Sequence, residues 1–354
     1  MQESIANSSP EHKLIIAHRN DVLVSLSPNV ALDLKVLLNP ETAWQPSLIL
    51  PDSRSKIFHD ELFLLQTEAT NMPTSLAIAV AGNGLTEMGL PLFTRMFNNF
   101  QPTRDISGWD EAPWPTWGRG WGGEEKRHDD FCYGYILISG RFNVTYLERV
   151  LHQYQQKGFD PRFNDDPYAA IFYPAWQERT AQLAHKRVSR LAQQLDISHL
   201  HRGAGAMAGD EGRHWMFYRK RGKELFEIDP DGAMVSFYYL IRDDIQMPGT
   251  KIKGFNEFAQ ASSWTGVYSP RDYIDIFREF IDYWGIEKAN VSGEAAKAQE
   301  GILKRFNVLS KLAEREQNRR KVHSVTEFHS PWVIGQSKIE GNIEIMDDDV
   351  RIAA

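Results

Sequence analysis

The chain has 354 residues, 42% hydrophobic and 12% aromatic, a globular composition that allows a large core and excludes a disordered one. A formal net charge of −7 argues against a general nucleic-acid binder, and no apolar run is long enough to span a membrane. The single cysteine, Cys132, excludes an internal disulfide and fits a reducing cytoplasm; it reads as a small buried residue rather than a metal ligand.

The opening MQESIANSSPEHK has neither a signal-peptide pattern nor the Arg-rich form of a transit peptide. From His12 to Leu38 apolar residues recur at helical intervals, with Pro28 breaking the run. Glu41 to Arg54, with Pro46 and Pro51, reads as an extended connection, and a helix follows from Lys56 to Thr70. The run from Pro73 to Asn98 is apolar on more than one side, which predicts a central helix with Glu87 inside it.

Gly108 to Gly123 is a Pro/Trp/Gly-rich patch leading into a helix that ends at Ser139. Its glycines lack the strand and the Gly-Lys-Ser/Thr of a phosphate loop. Asn143 to Gln156 is an amphipathic helix ended by Gly158 and Pro161. Helices are then expected over Pro167–Leu195, where Pro174 should bend the helix or free a carbonyl, and over Ser198–Phe226. Further helices are expected over Met234–Arg242, Pro270–Tyr283 and Ala295–Glu316. The pattern is all-α: an N-terminal helical segment (1–40), a main domain (41–322) and a loosely ordered C-terminal extension (323–354) ending in Asp347-Asp348-Asp349.

Two of these helices carry the same motif. Glu124-Glu125-Lys126-Arg127-His128 and Asp210-Glu211-Gly212-Arg213-His214 both read acid-Glu-x-Arg-His. Residues three apart share a helix face, so each Glu and His can aim at one point, and a carboxylate with an imidazole suits iron or manganese. One Glu-x-x-His is also an ordinary polar pair. Two copies match the dinuclear carboxylate site of a helix bundle, in which two further helices each add a lone Glu. Glu87 and Glu178, each among apolar neighbours, complete the order Glu, Glu-x-x-His, Glu, Glu-x-x-His.

Charge supports the grouping. A lone buried carboxylate is unfavourable, whereas four of them with two neutral imidazoles balance two divalent ions. Metal-bound imidazole usually donates its other nitrogen to a carboxylate. Asp210 and Glu124, each just before a ligand glutamate, are placed to hold His128 and His214 respectively.

With these residues in view, the sequence resembles the soluble acyl-carrier-protein desaturases, the stearoyl type of plastids with bacterial relatives. The similar stretches include AWQPSLILPD (43–52), LTEMGLP (85–91), EEKRHDD (124–130), WQER (176–179), DEGRH (210–214), KELFEIDPDG (223–232) and GVYSPRDY (266–273). They run in order over most of the chain, fading at the first forty residues and the tail, and the resemblance is to a bacterial member of that family.

The resemblance implies a ferritin-like four-helix bundle with additional helices, usually a homodimer. It implies two irons per subunit, held by Glu87, Glu125, His128, Glu178, Glu211 and His214. It implies an electron route through Trp44 and Asp210 to His128, a further tryptophan, Trp121, near the metals, and a ferredoxin-type donor. The reaction it implies is insertion of a cis double bond into a saturated chain carried by acyl carrier protein. That carrier is acidic, and Arg219, Lys220, Arg221 and Lys223, or Lys186, Arg187 and Arg190, are the basic clusters to receive it.

This chain departs from the plant pattern in places. Thr180 then Ala181 follow Glu178-Arg179 where the plant enzymes have Ala then Thr, and one helical step turns a side chain by about 100°. The family's catalytic hydroxyl is therefore expected to point elsewhere. Met88, Asn83 and Phe100 replace a glutamate, an aspartate and a smaller residue at the deep end of the chain pocket. Two other readings share the metal site: a di-iron oxygenase or hydroxylase on a carrier-tethered or free substrate, and a ferritin-like iron-storage or non-catalytic protein.

Overall fold

The computed structural model describes residues 9–89, 91–163, 165–243, 245–322, 325–335 and 339–341. Among these, thirteen α-helices account for nearly all regular structure. They are α1 (Pro10–Ser25), α2 (Ser27–Asp33), α3 (Phe58–Thr70), α4 (Thr74–Glu87), α5 (Pro91–Phe97), α6 (Pro113–Ile138) and α7 (Val144–Lys157). There follow α8 (Ala169–Gln194), α9 (Ser198–Ile228), α10 (Pro230–Ile241), α11 (Phe255–Trp264), α12 (Pro270–Tyr283) and α13 (Gly293–Val322). A short antiparallel pair, β1 (Val325–Glu327) with β2 (Ile339–Gly341), closes the described chain, Thr326 opposite Glu340. No described helix is long and apolar enough to cross a membrane.

Local chemistry sets many of the ends. The Ser9 side chain accepts from His12 N, Asn143 from Tyr146 N and Asp229 from Gly232 N, while Ser269 and Asp272 form a reciprocal capping box. Gly158, at φ +71°, stops α7 in a conformation that side chains rarely adopt.

Four helices close into a ring in the order α4, α6, α9, α8, each packing on the next and α8 back on α4, and α8 and α9 form a long antiparallel hairpin. This is the expected all-α bundle with helices added around it. It holds two apolar clusters rather than one. Trp114, Trp117 and Trp121 of α6, Ala169 to Tyr173 with Trp176 of α8, and Trp215, Phe217 and Tyr218 of α9 belong to the first. Phe131, Cys132, Tyr135 and Ile136 of α6, Ala184, Val188, Leu191 and Ala192 of α8, and Leu200, Ala204 and Met207 of α9 belong to the second. Glu125, Glu178 and Glu211 lie at the level where each helix passes from one cluster to the other.

Several expected elements change. The patch before Gly123 is helical from Pro113, because its glycines permit close approach: a β-carbon on Gly120 would stand 2.2 Å from Leu37. The expected single helix over 73–98 is two, α4 ending at Glu87 and α5 starting at Pro91. Pro28 lies in the first turn of α2, where proline is tolerated, and the break falls at Leu26. Helix α11 was not anticipated. The tail is ordered over its described part: Trp332 and Phe328 are buried, and the Glu340 carboxylate accepts from Thr74 N (2.6 Å) and Ser75 N (3.2 Å), capping α4. Asp347 to Asp349 lie outside the described residues.

Close helix packing gives a first prediction. A β-carbon on Gly203 of α9 would lie 1.8 Å from the ring of Phe131, one turn beyond His128. Alanine gains about 1 kcal/mol of helix propensity, but overpacking costs roughly 1–3 kcal/mol. Gly203→Ala is therefore expected to lower stability by about 1 kcal/mol in urea unfolding, against the sign that propensity alone gives.

Candidate metal centre

The ring of four helices brings the six metal-ligand candidates together. Glu87 is the last residue of α4; Glu125 and His128 come from α6, Glu178 from α8, and Glu211 and His214 from α9. They form two overlapping quartets: Glu87, Glu125, His128, Glu211, and Glu125, Glu178, Glu211, His214. Within each quartet one ligand atom per residue lies within 4.8 Å of the others. Glu125 and Glu211 belong to both quartets.

His128 Nδ1 stands 3.4 Å from Glu125 Oε2, 3.4 Å from Glu211 Oε1 and 3.8 Å from Glu87 Oε2. His214 Nδ1 stands 3.0 Å from Glu125 Oε1, 3.3 Å from Glu178 Oε2 and 3.9 Å from Glu211 Oε2. Both imidazoles are fully buried.

The donor atoms show what this group fits. Glu125 Oε1, His128 Nδ1, Glu178 Oε2, Glu211 Oε2 and His214 Nδ1 are all buried without a hydrogen bond, although they face one another. Buried polar atoms are rarely left so, and five converging on one space suit cations. The opposite nitrogens are engaged: His128 Nε2 contacts Asp210 Oδ2 at 3.1 Å and His214 Nε2 contacts Glu124 Oε2 at 2.9 Å. Donation from Nε2–H leaves each Nδ1 a lone pair aimed inward. Each outer acid thus holds the histidine of the other motif copy.

The arginines of the two motifs complete this outer layer, a role not read from the sequence. Arg213 Nη2 lies 2.6 Å from Asp210 and 3.0 Å from Glu124, and Arg127 Nη2 lies 3.3 Å from Asp210. Two arginines therefore offset two outer acids, leaving the four inner carboxylates to be neutralised from within. Arg127 and Arg213 repeat at the fourth motif position, and that repetition was the available signal. His185, also missed, places Nε2 3.0 Å from Glu87 Oε1. A lone histidine on a helix carries no spacing signature.

Without cations the protons redistribute. Burial, with the charges of Glu125 and Glu178, pushes Glu211 well above the usual carboxylate range. Burial also opposes ionisation of Glu125, yet the imidazoles of His128 and His214 hold it down at about 2. Burial would depress both histidines, but the Glu125 charge and the Asp210 contact raise His128, and the Glu124 contact with the neighbouring carboxylates raises His214.

The remaining candidates fall around this core. Trp44 Nε1 donates to Asp210 Oδ2 at 2.9 Å, and its ring lies nearly parallel to that of His128, 6.1 Å away. Trp121 Nε1 donates to Glu178 Oε1 at 3.2 Å. Thr180 turns toward Tyr268, its Oγ1 3.4 Å from the phenol oxygen. Cys132 is buried beside Met207, its Sγ 3.8 Å from that sulfur.

A cavity of about 1420 Å³ reaches the site, where Glu87, Glu125, Thr180, Ala181 and His185 line it. It exceeds the ~300–1,000 Å³ of ordinary small-ligand pockets. Phe100, expected at its deep end, instead packs on Phe163, ring centres 5.8 Å apart, and is not among the lining residues. The basic run 219–223 is already paired. Lys220 and the fully buried Arg221 reach Asp33, Lys223 lies 3.4 Å from Glu227, and Arg219 packs between Trp215 and Tyr283. It is not an open cationic face. At the other cluster, Lys186 is exposed and Arg187 meets Asp272 at 2.7 Å.

Comparison with known proteins agrees with this architecture. The family model described as fatty acid desaturase matches residues 18–334. The chloroplastic stearoyl-[acyl-carrier-protein] 9-desaturase of Olea europaea is 34% identical over 310 residues, 86% of this chain and 79% of that protein. The acyl-[acyl-carrier-protein] 6-desaturase of Thunbergia alata is 33% identical, covering 84% and 78% respectively. Among solved structures, DesA2 of Mycobacterium tuberculosis is similar in fold, with TM-score 0.51 and 16% identity over 81% of this chain and 99% of that one.

Two outcomes are expected. Asp210→Asn, which removes the charged partner of His128, should lower metal affinity about 10–100-fold in competition with a chelator. Glu211→Gln should raise the melting temperature of the metal-free protein by a few degrees, because it removes one of four crowded carboxylates; in calorimetry about 1 kcal/mol corresponds to ~2–4 °C for a large domain. The same variant should bind less metal per chain.

Proposed function

This chain belongs to the fatty acid desaturase family, and from that membership we propose that it is an acyl-[acyl-carrier-protein] desaturase. It would remove two hydrogens from a saturated, carrier-bound chain to leave a cis double bond. One dioxygen, two electrons and two protons are consumed, and two waters leave with the unsaturated product. The observation that carries the reading is the large cavity meeting, at Glu87 and Glu125, a closed set of carboxylates and imidazoles whose inward atoms have no other partner.

Glu87, Glu125, His128, Glu178, Glu211 and His214 are the proposed ligands of two irons. Iron held by this nitrogen-and-oxygen set supplies the dioxygen chemistry that no side chain provides. The protein's share is positioning and exclusion. Glu124 and Asp210 hold the two imidazole rings in one tautomer. Trp44, half-buried and bonded to Asp210, gives a continuous polar route from near the surface to His128, along which we place electron entry from a ferredoxin-type donor. The apolar clusters on either side keep bulk water from the reacting carbons, and the cavity walls hold the chain so that one methylene pair is presented.

The carrier is acidic, and the surface at Lys186, Arg187 and Arg190 is the proposed dock. It follows His185 along α8 and lies beside Asp272, close to the cavity-lining Ser269 and Pro270. A homodimer in a reducing cytoplasm is the proposed setting, the latter supported by the lone buried Cys132.

Reduced protein incubated with saturated acyl-carrier-protein thioesters is expected to yield chains lacking two hydrogens, read by mass spectrometry. Chains that gain one oxygen instead would replace this reading with a hydroxylase. Glu178→Ala opens one side of the site and is expected to abolish product while leaving thioester binding intact. Desaturation at the wild-type rate in that variant would refute the ligand set.

A further inference from the structure

We propose that a second, small apolar cavity inside the ring of ligand helices holds dioxygen beside the metal position, apart from the acyl chain. The choice of gas rests on the desaturase reading, whereas the site itself stands on geometry. This cavity has a volume of about 20 Å³. A single water needs roughly 10–15 Å³, so one small molecule fits there and a hydrocarbon chain does not. Every residue lining it belongs to α4, α6, α8 or α9, and all but Asn83 are buried.

Helical spacing fixes where the cavity lies. Asn83 comes four residues before Glu87 on α4, Met207 four before Glu211 on α9, and Cys132 four after His128 on α6. Residues four apart share a helix face, so the cavity sits one turn from the ligands on three of the four helices. On the fourth, α8, it is lined by His185, whose Nε2 lies 3.0 Å from Glu87 Oε1. Asn83 and His185 also line the large cavity, so these two side chains form the partition between the two spaces.

The walls suit a gas better than water. They are mostly hydrocarbon, with the Cys132 and Met207 sulfurs 3.8 Å apart. Asn83 Nδ2 and the Tyr135 hydroxyl are the buried polar atoms of this lining without a partner. They offer two hydrogen bonds at most, against the roughly three that an ordered buried water makes. Dioxygen asks for none and gains by leaving water for an apolar lining. An acyl chain in the large cavity closes that side of the site to a second substrate. A gas held in the small cavity reaches the metal position past Glu87 and His128 without displacing the chain.

The test uses crystals of the iron-loaded, reduced protein pressurised with xenon, which enters dry apolar voids of this kind. Xenon density is expected in the cavity of wild type and is expected to be lost in Ala204→Val and Val188→Ile, which add carbon to its wall. Stopped-flow reoxidation of the reduced, thioester-bound protein by dioxygen should slow several-fold in both variants, with metal content unchanged. Val188→Ile adds one methylene and decides the matter if Ala204→Val does not fold. An ordered water in the wild-type cavity with no xenon overturns the proposal. So does bound xenon with no slowing in the folded, iron-loaded variants, and the desaturase reading survives either result. Bound xenon and slowed reoxidation, with no unsaturated product from wild type, uphold the gas site and end the desaturase reading. A reduced wild type that dioxygen does not reoxidise refutes both.

Discussion

Four carboxylates between two apolar clusters are the constraint on which the rest of this structure depends. An ion taken out of water carries an effective penalty of several kcal/mol even after relaxation. Four such penalties are comparable to or larger than the ~5–15 kcal/mol that holds a typical protein together. The bundle therefore cannot keep Glu87, Glu125, Glu178 and Glu211 all ionised unless positive charge sits among them. The outer layer does not supply it, because Arg127 and Arg213 are committed to Asp210 and Glu124. Two divalent ions close the balance with the histidines neutral. Without them the site falls back on protons, with Glu211 held protonated and the imidazoles drawn toward their charged form.

That balance explains why the site spans helices rather than loops. Ligand atoms grouped within 4.8 Å need backbones that do not drift, and α6, α8 and α9 run continuously through the metal level with packed rings on either side. Helix α4 is the exception, since it ends at Glu87. Its start is fixed instead, by the Glu340 carboxylate on Thr74 N and Ser75 N. The C-terminal strand pair thereby braces the one ligand helix that does not continue past the metals. On the N-terminal side, Leu38 N donates to Glu124 and Val36 O accepts from Arg213, so the turn after α2 also holds the outer layer in place.

The two motif copies were legible because their spacing is itself the geometry: three residues apart on a helix is one face, whatever the tertiary context. Glu87 and Glu178 became readable only through the order of all six residues, since neither carries a local signature. The glycines at 118–123 misled in the opposite way. Their low helix propensity signals a break, yet the structure uses Gly120 to let Leu37 approach α6, and packing prevails over propensity there. The basic run 219–223 misled because a linear list of charges omits partners from elsewhere; Asp33 lies 187 and 188 residues away from the cations it meets. His185 had no partner in sequence, only in space.

The exchange of Thr180 and Ala181 shows how a fold can absorb a change that appears decisive in one dimension. A step along a helix swings a side chain by about 100°, which predicts that the hydroxyl leaves its place. Both residues nevertheless line the cavity, because α8 presents a broad face to it and not a single row. What changes is the company the hydroxyl keeps. Thr180 meets the phenol of Tyr268, whose own proton is held firmly by burial. The cavity thus retains a hydroxyl on α8 but ties it to the turn before α12. Its orientation now depends on that turn as much as on the helix that carries it.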